Sequence, residues 1–290
     1  MNYPTKPGSS VILNLPDEAY HSLPELSSSQ AKALLESPAK FNYWRGRRRP
    51  EKKEYDVGHA VHAKVLGTGA TIVEIPADLL SADGGIRTKA AKEWVEQARA
   101  EGKVPMHSRE LRPVQEMSDA ILSHPIAGPL LSQPGNPEVS VLSTDPNTDV
   151  PVRARFDYLP YPRQPRAIAV DLKTARAASP LAFAKSVVEY GYDLQQEWYR
   201  DVYRLATGEE VEFVFVVVET TPPYLVATYQ LPLLFQEMGQ RKVIEARALY
   251  RECIDTGRWP GYSESIELVD PPTWAVFAHE EKYGMQEISI

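Results

Sequence analysis

The sequence predicts a mixed α/β (α+β) fold in which helices flank a mixed central sheet. Alternating apolar runs at residues 138–143, 150–158 and 167–173 are typical of strands, because successive side chains of a strand point to opposite faces. A helical pattern at 179–206 follows, and then the apolar run 211–219, which is typical of a strand buried on both faces. We therefore expect an antiparallel meander, a helical crossover and a buried strand.

The composition is that of a globular protein whose 290 residues can bury a substantial core. The net charge of −7 argues mildly against indiscriminate binding to nucleic acid. A single cysteine, Cys253, excludes an internal disulfide, a cysteine-based zinc site and an iron–sulfur cluster held by one chain. The longest apolar run, 213–218, is too short to cross a bilayer, and residues 1–10 lack the features of a signal peptide. A cytoplasmic location without membrane contact is the default expectation.

The beginning of the chain divides into an arm and a first helix. Residues 1–24 are rich in proline and serine and predict a flexible arm, followed by a single domain at 25–290. Ser27 is a typical N-cap for a short helix that ends before Pro38. The serines at this helix start are primarily caps, and phosphate binding there is a secondary interpretation.

The next stretch predicts three helices and a short strand. A helix at 55–66 has valine at every fourth position, and Gly58 and His62 share one of its faces. A strand at 71–75 follows, and helices are predicted at 87–102 and 108–123. These last two helices form a helical insert, about 87–123, which we expect to lie outside the catalytic core.

The C-terminal half begins with a strong helix start at Ser179, which precedes a proline. The helical pattern continues to about residue 206 with a break near Gly191, and Gln195 and Tyr199 lie one turn apart on one face. A strand at 224–230 and a long closing helix, from 232 to about 256, complete the predicted elements.

Two of the predicted strands carry the residues with the clearest chemistry. Asp157 lies on the polar side of the 150–158 run, while Asp171 and Lys173 share the polar side of the 167–173 run. The short, turn-rich segment between the runs predicts a hairpin. Two carboxylates and a lysine suit a hard divalent cation with an ammonium beside it to meet phosphate or water. The alternative interpretation is an ordinary solvated face.

A basic segment precedes the helix at 55–66. Residues 44–53 contain six cationic side chains after a tryptophan: Arg45, Arg47, Arg48, Arg49, Lys52 and Lys53. Such a run is either a solvated loop or a grip on a phosphate backbone, in which case DNA binding should weaken steeply with salt. We also include Arg155, beside Asp157 on its strand, and Ser27 and Ser29 among the candidate DNA contacts.

The ordered motifs of the chain resemble the PD-(D/E)xK nuclease superfamily, and specifically the RecE-like exonucleases of phages and prophages. The motifs are SSSQ at 27–30 with SPAKF at 37–41, GHAVH at 58–62, RFD at 155–157, DLKT at 171–174, and Gln195 with Tyr199. The resemblance spans about residues 25–230 and implies a restriction-endonuclease-like core. Phe156, where the family often has proline, and Asp193, where it often has histidine, depart from the pattern.

The resemblance implies a role for each matching residue. Asp157, Asp171 and the carbonyl of Leu172 would bind catalytic Mg²⁺, for which Mn²⁺ could substitute. His62 would complete the metal site, and Glu138 is a further candidate acid. The catalytic residues would then be Asp157 and Asp171, with Lys173 to position the attacking water or remove its proton, and Gln195 and Tyr199 to orient the lysine or contact DNA.

The function implied is Mg²⁺-dependent hydrolysis of linear double-stranded DNA, 5′ to 3′, to leave 3′ single strands for recombination. A single-strand annealing protein would be a natural partner, and a ring-shaped homo-oligomer would provide processivity. The alternatives are another PD-(D/E)xK endonuclease, for example structure-specific or helicase-associated, and a non-catalytic DNA-binding protein of the same fold. A two-carboxylate glycosidase is a distant alternative, because Lys173 would have no role there. His59 and His62 do not form H-E-x-x-H, which excludes that class of zinc protease.

Overall fold

A computed structural model describes residues 3–47, 54–67, 71–161 and 167–284. The strands are β1 (Ser10–Ile12), β2 (Ile72–Glu74), β3 (Val104–Met106), β4 (Gly135–Thr144), β5 (Pro151–Pro160), β6 (Ala167–Ala175), β7 (Val211–Glu219) and β8 (Val226–Tyr229). The helices are α1 (Asp17–Ser22), α2 (Ser28–Glu36), α3 (Pro38–Trp44), α4 (Glu54–Leu66), α5 (Lys89–Ala100), α6 (Ser108–Ser123), α7 (Ala127–Leu131), α8 (Pro180–Tyr190), α9 (Tyr192–Thr207), α10 (Leu233–Thr256) and α11 (Thr273–Tyr283).

The central sheet has six strands in the order β1-β4-β5-β6-β7-β8. All neighbours are antiparallel except β6 and β7, which are parallel and joined through α8 and α9. This confirms the predicted meander followed by a helical crossover. Gly191 separates the two crossover helices in a left-handed conformation with a φ of 61°, which glycine adopts without steric cost.

Two apolar clusters cover the two faces of this sheet. The first packs α2, α9 and α10 against β4, β5 and β7, with Trp198 and Phe156 among its fully buried side chains. The second packs α4 and α6 against β6 and β7, through residues such as Val61, Met117 and Leu172. Each helical layer removes one face of the sheet from water, which is why β7 is apolar from Phe213 to Val218.

The described part of the predicted N-terminal arm is attached to the sheet, which corrects the expectation of a loose segment. β1 pairs with β4 through Val11 and Val141, and Tyr3 is buried with its hydroxyl donating to the Leu159 carbonyl at 2.6 Å. The backbone N–H of Lys6 also donates to the Ala206 carbonyl at 2.7 Å. Composition alone missed this strand because its stability comes from the partner edge that β4 offers.

The predicted helical insert is also corrected in part, because α6 belongs to the core. Its apolar stripe of Val114, Met117 and Ile121 packs in the cluster that includes Leu172 and Val216 of the sheet. The pattern predicted the helix correctly, but one sequence does not say which surface an apolar stripe will cover. α5 lies against β3, which pairs in parallel with β2 and was not predicted.

The sequence pattern did not predict four of the described helices, α1, α3, α7 and α11. α3 follows α2 directly, with Ser37 as its N-cap and Pro38 in its first turn. α11 lies near the end of the chain, and all of its described side chains are at least partly exposed. Within the described ranges, no helix is both long and apolar enough to cross a membrane.

Candidate active site

The candidate site lies where β5 and β6 separate. The two strands are registered through Tyr158 and Val170, in the part of the hairpin near its turn. Farther along, the backbone N–H of Leu172 donates to Oδ2 of Asp157 at 2.8 Å, so a side chain occupies the position of a ladder partner. We call this opening the β5–β6 fork.

The two predicted carboxylates reach the fork from opposite faces of the sheet. Asp157 lies near His62 of α4, with 3.6 Å between the carboxylate Oδ2 and the imidazole Nδ1. Asp171 accepts a hydrogen bond at 2.7 Å from Nε2 of Gln195, which belongs to α9 on the other face. The sequence placed both acids on polar strand faces, but it did not indicate that these faces look in opposite directions.

A local break in strand alternation accompanies this arrangement. Phe156 packs in the first apolar cluster, but Tyr158, predicted on the same side, packs in the second. The register of β4 and β5 places Glu138 opposite Asp157. The backbone φ of Glu138 is 50°, a value that residues other than glycine seldom adopt. Ligand atoms of Glu138, His62 and Asp157 all lie within 4.8 Å of one another. The backbone distortion therefore accompanies the clustering of Glu138 with the other two ligands.

His62 is oriented by a backbone group of the site. Its Nε2 lies 2.7 Å from the carbonyl oxygen of Leu172, which leaves Nδ1 on the side of Asp157. Metal-binding histidines commonly donate their other ring N–H to such an acceptor, which sets the tautomer. The Leu172 carbonyl, predicted as a metal ligand, thus contacts His62, and its second lone pair leaves room for a further ligand.

Lys173 forms an ion pair with the carboxylate of Asp171, which lies two residues earlier on the same face of β6. Its ammonium also lies 4.9 Å from the centre of the Tyr192 ring, a cation–π contact. Burial alone would lower the pKa of Lys173, but attraction to Asp171 and Asp157 outweighs burial and raises it. The ammonium form is therefore stabilised at this position.

The acids of the fork are crowded and partly withdrawn from water. Burial raises the pKa of Asp171 to about 6, with Lys173 opposing the shift and Asp157 adding to it. Burial and then repulsion from Asp157 raise the pKa of Glu138 to about 7. Carboxylates held at this density gain from a bound cation, which removes the repulsion between them.

The donors at the fork fit a hard divalent cation. The clustered donors are carboxylate oxygens of Asp157 and Glu138 and one imidazole nitrogen of His62, with the Leu172 carbonyl beside them, while Asp171 is held by Gln195 and Lys173 on the other side of the fork. Oxygen donors with one imidazole suit Mg²⁺ or Mn²⁺ better than a soft metal ion that prefers thiolate ligands.

Tyr199 and Arg155 both contact other parts of the chain. The Tyr199 ring contacts Phe156 at 5.1 Å between centroids, and burial raises its hydroxyl pKa well above the usual value. The Arg155 guanidinium donates to Asp17 at 2.8 Å and to the Leu15 carbonyl. Both side chains therefore contribute to packing within the chain, and the catalytic role of Tyr199 and the DNA contact of Arg155 stay predictions.

The remaining predicted DNA contacts lie away from the fork's hydrogen-bond network. Ser27 caps α2 by accepting from the Gln30 backbone, while Ser29 is exposed. Arg45 and Arg47 are exposed, and Arg47 lies 4.1 Å from the Tyr43 ring centre. Arg48 and Arg49, together with Lys52 and Lys53, lie outside the described residues.

Sequence reasoning missed two residues beside the site, Tyr192 and Lys32. Tyr192 is the first residue of α9, and the ammonium groups of both Lys173 and Lys32 lie over its ring. The available signal was the spacing of Tyr192, Gln195 and Tyr199, which places all three on one face of α9.

Comparison with known proteins gives one family and one similar fold. The model of a family described as a PDDEXK-like domain of unknown function (DUF3799) matches residues 27–272. A crystal structure from Eubacterium rectale, described as "Putative exonuclease", matches 94% of this chain and 100% of its own, with a TM-score of 0.58 and 13% identity. The crystal structure of SSO0001 matches 66% of this chain and 85% of its own at 13% identity, with a TM-score of 0.27. No curated protein matches the sequence significantly. The similarity to the Eubacterium rectale structure shows the fold.

Proposed function

Because the chain belongs to the PDDEXK-like family DUF3799, we propose that it is a metal-dependent exonuclease that hydrolyses linear double-stranded DNA from its ends. The digestion would run 5′ to 3′ and leave 3′ single strands for recombination, as the RecE-like resemblance implies. The description of the Eubacterium rectale structure also supports exonuclease activity. The proposed exonuclease activity and its 5′ to 3′ direction therefore rest on the RecE-like resemblance and on the description of that structure.

The observation that carries the nuclease proposal is the convergence at the β5–β6 fork. Asp157, Asp171 and His62 offer ligands around the Leu172 peptide, and Lys173 stands beside Asp171. Phosphodiester hydrolysis needs a water nucleophile and stabilisation of negative charge on the phosphate. Bound Mg²⁺ would supply Lewis acidity and lower the pKa of a water molecule.

The chain's own groups would hold the reacting atoms in place. Gln195 fixes one oxygen of Asp171 by its 2.7 Å hydrogen bond, so that carboxylate cannot rotate freely. Lys173, held between Asp171 and the Tyr192 ring, presents a positive charge to the scissile phosphate and its developing charge. The ion pair favours charge stabilisation by Lys173 over proton removal from water, since the ammonium is the form that Asp171 holds.

The proposal extends to assembly and location. A ring-shaped homo-oligomer would keep a DNA end enclosed between successive cleavages, and a single-strand annealing protein would load on the exposed strand. Both follow from the RecE-like resemblance, as does a cytoplasmic location in a bacterial or phage-infected cell. Light scattering of the purified chain should give the mass of a closed ring of several subunits. The mass of a monomer would contradict the proposed homo-oligomer.

The test compares end-labelled linear duplex with covalently closed circles, each with Mg²⁺ or EDTA. We expect loss of linear DNA only, with Mg²⁺ and not with EDTA, and release of the 5′ label first. A Lys173→Met variant should cleave about 10²–10³-fold more slowly, and Lys89→Met, which changes an exposed lysine of α5, should be fully active. Cleavage of circles would indicate an endonuclease with the same chemistry. Absence of cleavage in all samples would favour a DNA-binding protein of the same fold.

A further inference from the structure

Lys32 of α2 lies beside the candidate active site, although no motif singled it out. Its ammonium is 5.6 Å from the centre of the Tyr192 ring, the same ring that Lys173 approaches at 4.9 Å. A Cβ placed on Gly191 would stand 3.4 Å from Cδ and Cε of Lys32, so the lysine stem lies directly on the junction of α8 and α9. Two ammonium groups therefore share one aromatic ring next to Asp171.

The packing of α2 on α9 explains this position. Ser28 and Lys32 are one turn apart on α2, and the side chain of Ser28 lies beside the hydroxyl of Tyr199. One turn farther along α2, Lys32 reaches Tyr192 at the start of α9. The same face of α2 thus follows the face of α9 that carries Gln195 and meets the fork.

Lys32 differs from the neighbouring lysines in lacking an acidic partner. Lys173 pairs with Asp171, and Lys242 pairs with Asp193 at 2.6 Å. Among the described residues, Lys32 forms no hydrogen bond or ion pair, and it is half-buried. Burial and then repulsion from Lys173 lower the pKa of Lys32 to about 8. A half-buried ammonium beside another ammonium is unfavourable in the free protein, and a bound anion would offset that cost.

We propose that Lys32 binds a phosphate of the DNA strand adjacent to the phosphate held at Lys173. This inference rests on the proposed nuclease function and deepens it, because it adds a substrate-binding position on α2 to the fork. Two ammonium groups over one ring can meet neighbouring phosphates of a single strand. Tyr192 would separate the two charges and keep each side chain extended toward the DNA.

Lys32→Met separates charge from packing, because methionine keeps a flexible apolar stem against Tyr192 and Gly191. Duplex binding would be measured by fluorescence anisotropy in EDTA over a series of salt concentrations. We expect roughly three- to tenfold weaker binding and a salt slope smaller in magnitude by about one. Lys32→Arg should restore both, and Lys89→Met, which also removes one positive charge, should match the wild type.

Thermal unfolding completes the test. Lys32→Met should unfold at the same temperature as the wild type or higher, because an unpaired charge has been removed. Wild-type affinity and salt slope in Lys32→Met, with a wild type that binds and cleaves DNA, would overturn this inference alone. A lower unfolding temperature with no rescue of binding by Lys32→Arg would also overturn it, in favour of a structural role. A wild type that neither binds nor cleaves DNA would overturn the proposed function as well.

Discussion

The two halves of the β5–β6 fork are built in different ways. In the half served by α9, Asp171 is 1% exposed and is held by Gln195 and Lys173. In the half served by α4, the side chains of His62 and Glu138 are 24% and 29% exposed. Within the buried half, Asp171 receives a 2.7 Å hydrogen bond, whereas 3.6 Å separates His62 from Asp157 in the open half.

This difference indicates that the buried half holds its residues rigidly, whereas the open half can adapt to a ligand. Packing of α9 sets the position of Asp171 before any ligand binds, which is the preorganisation that charge stabilisation requires. The open half contains two carboxylates, Asp157 and Glu138, whose mutual repulsion a cation would relieve, so we expect their geometry to depend on the metal. The buried half should therefore govern the rate of cleavage, and the open half should govern metal affinity.

The largest expected effect comes from neutralising the buried half. Lys173→Met should lower the cleavage rate by about 10²–10³-fold, because a positive charge aimed at the phosphate is removed from a largely buried site. Mg²⁺ affinity, measured by calorimetry, should change far less. Recovery of the rate at high Mg²⁺ would contradict the division between the halves.

A change in the open half should act mainly on the metal. His62→Gln should weaken Mg²⁺ activation by roughly 10–100-fold while leaving the rate at saturating metal much closer to that of the wild type. His59→Gln, an exposed histidine on the same helix, is the matched control and should behave like the wild type. The measurement is the cleavage rate as a function of Mg²⁺ concentration for the three proteins.

Glu138 should make the stability of the metal-free protein depend on pH. Its pKa is raised to about 7 in the folded chain, so ionisation is harder when folded than when unfolded. The resulting penalty is absent below the ordinary glutamate pKa and grows as pH rises to about 7. In EDTA at pH 8, Glu138→Gln should be more stable than the wild type by about 1–3 kcal/mol, with little difference near pH 4.5. Chemical denaturation at the two pH values measures this, and an equal difference at both would exclude the ionisation as its cause.

The smallest effect should come from the exposed arginines outside the fork. Arg45→Gln with Arg47→Gln should weaken duplex binding severalfold and reduce the salt slope by up to about two, without changing the rate at saturating DNA. An unchanged slope would show that this segment is a solvated loop. Arg87→Gln with Lys89→Gln, which removes two exposed positive charges near the start of α5, would serve as the charge-matched control.

Much of the fold was predictable because its elements have strong local signals. Alternation predicted β5 and β6, and Ser179 with Gly191 set the bounds of α8. β1 and α11 escaped prediction because their local patterns are weak. A short edge strand such as β1 is stable only when a longer strand offers it hydrogen-bond partners.

The sequence by itself determined the strand and helix periods, the order of the motifs, and the proximity of Asp171 to Lys173, because a two-residue spacing on a strand fixes their common face. Only the tertiary structure decided that Asp157 faces α4 while Asp171 faces α9, and that Lys32 approaches Tyr192. These relations depend on where β5 and β6 separate and on how α2 packs along α9. They come from contacts between residues that are distant in the chain, and local periodicity does not predict such contacts.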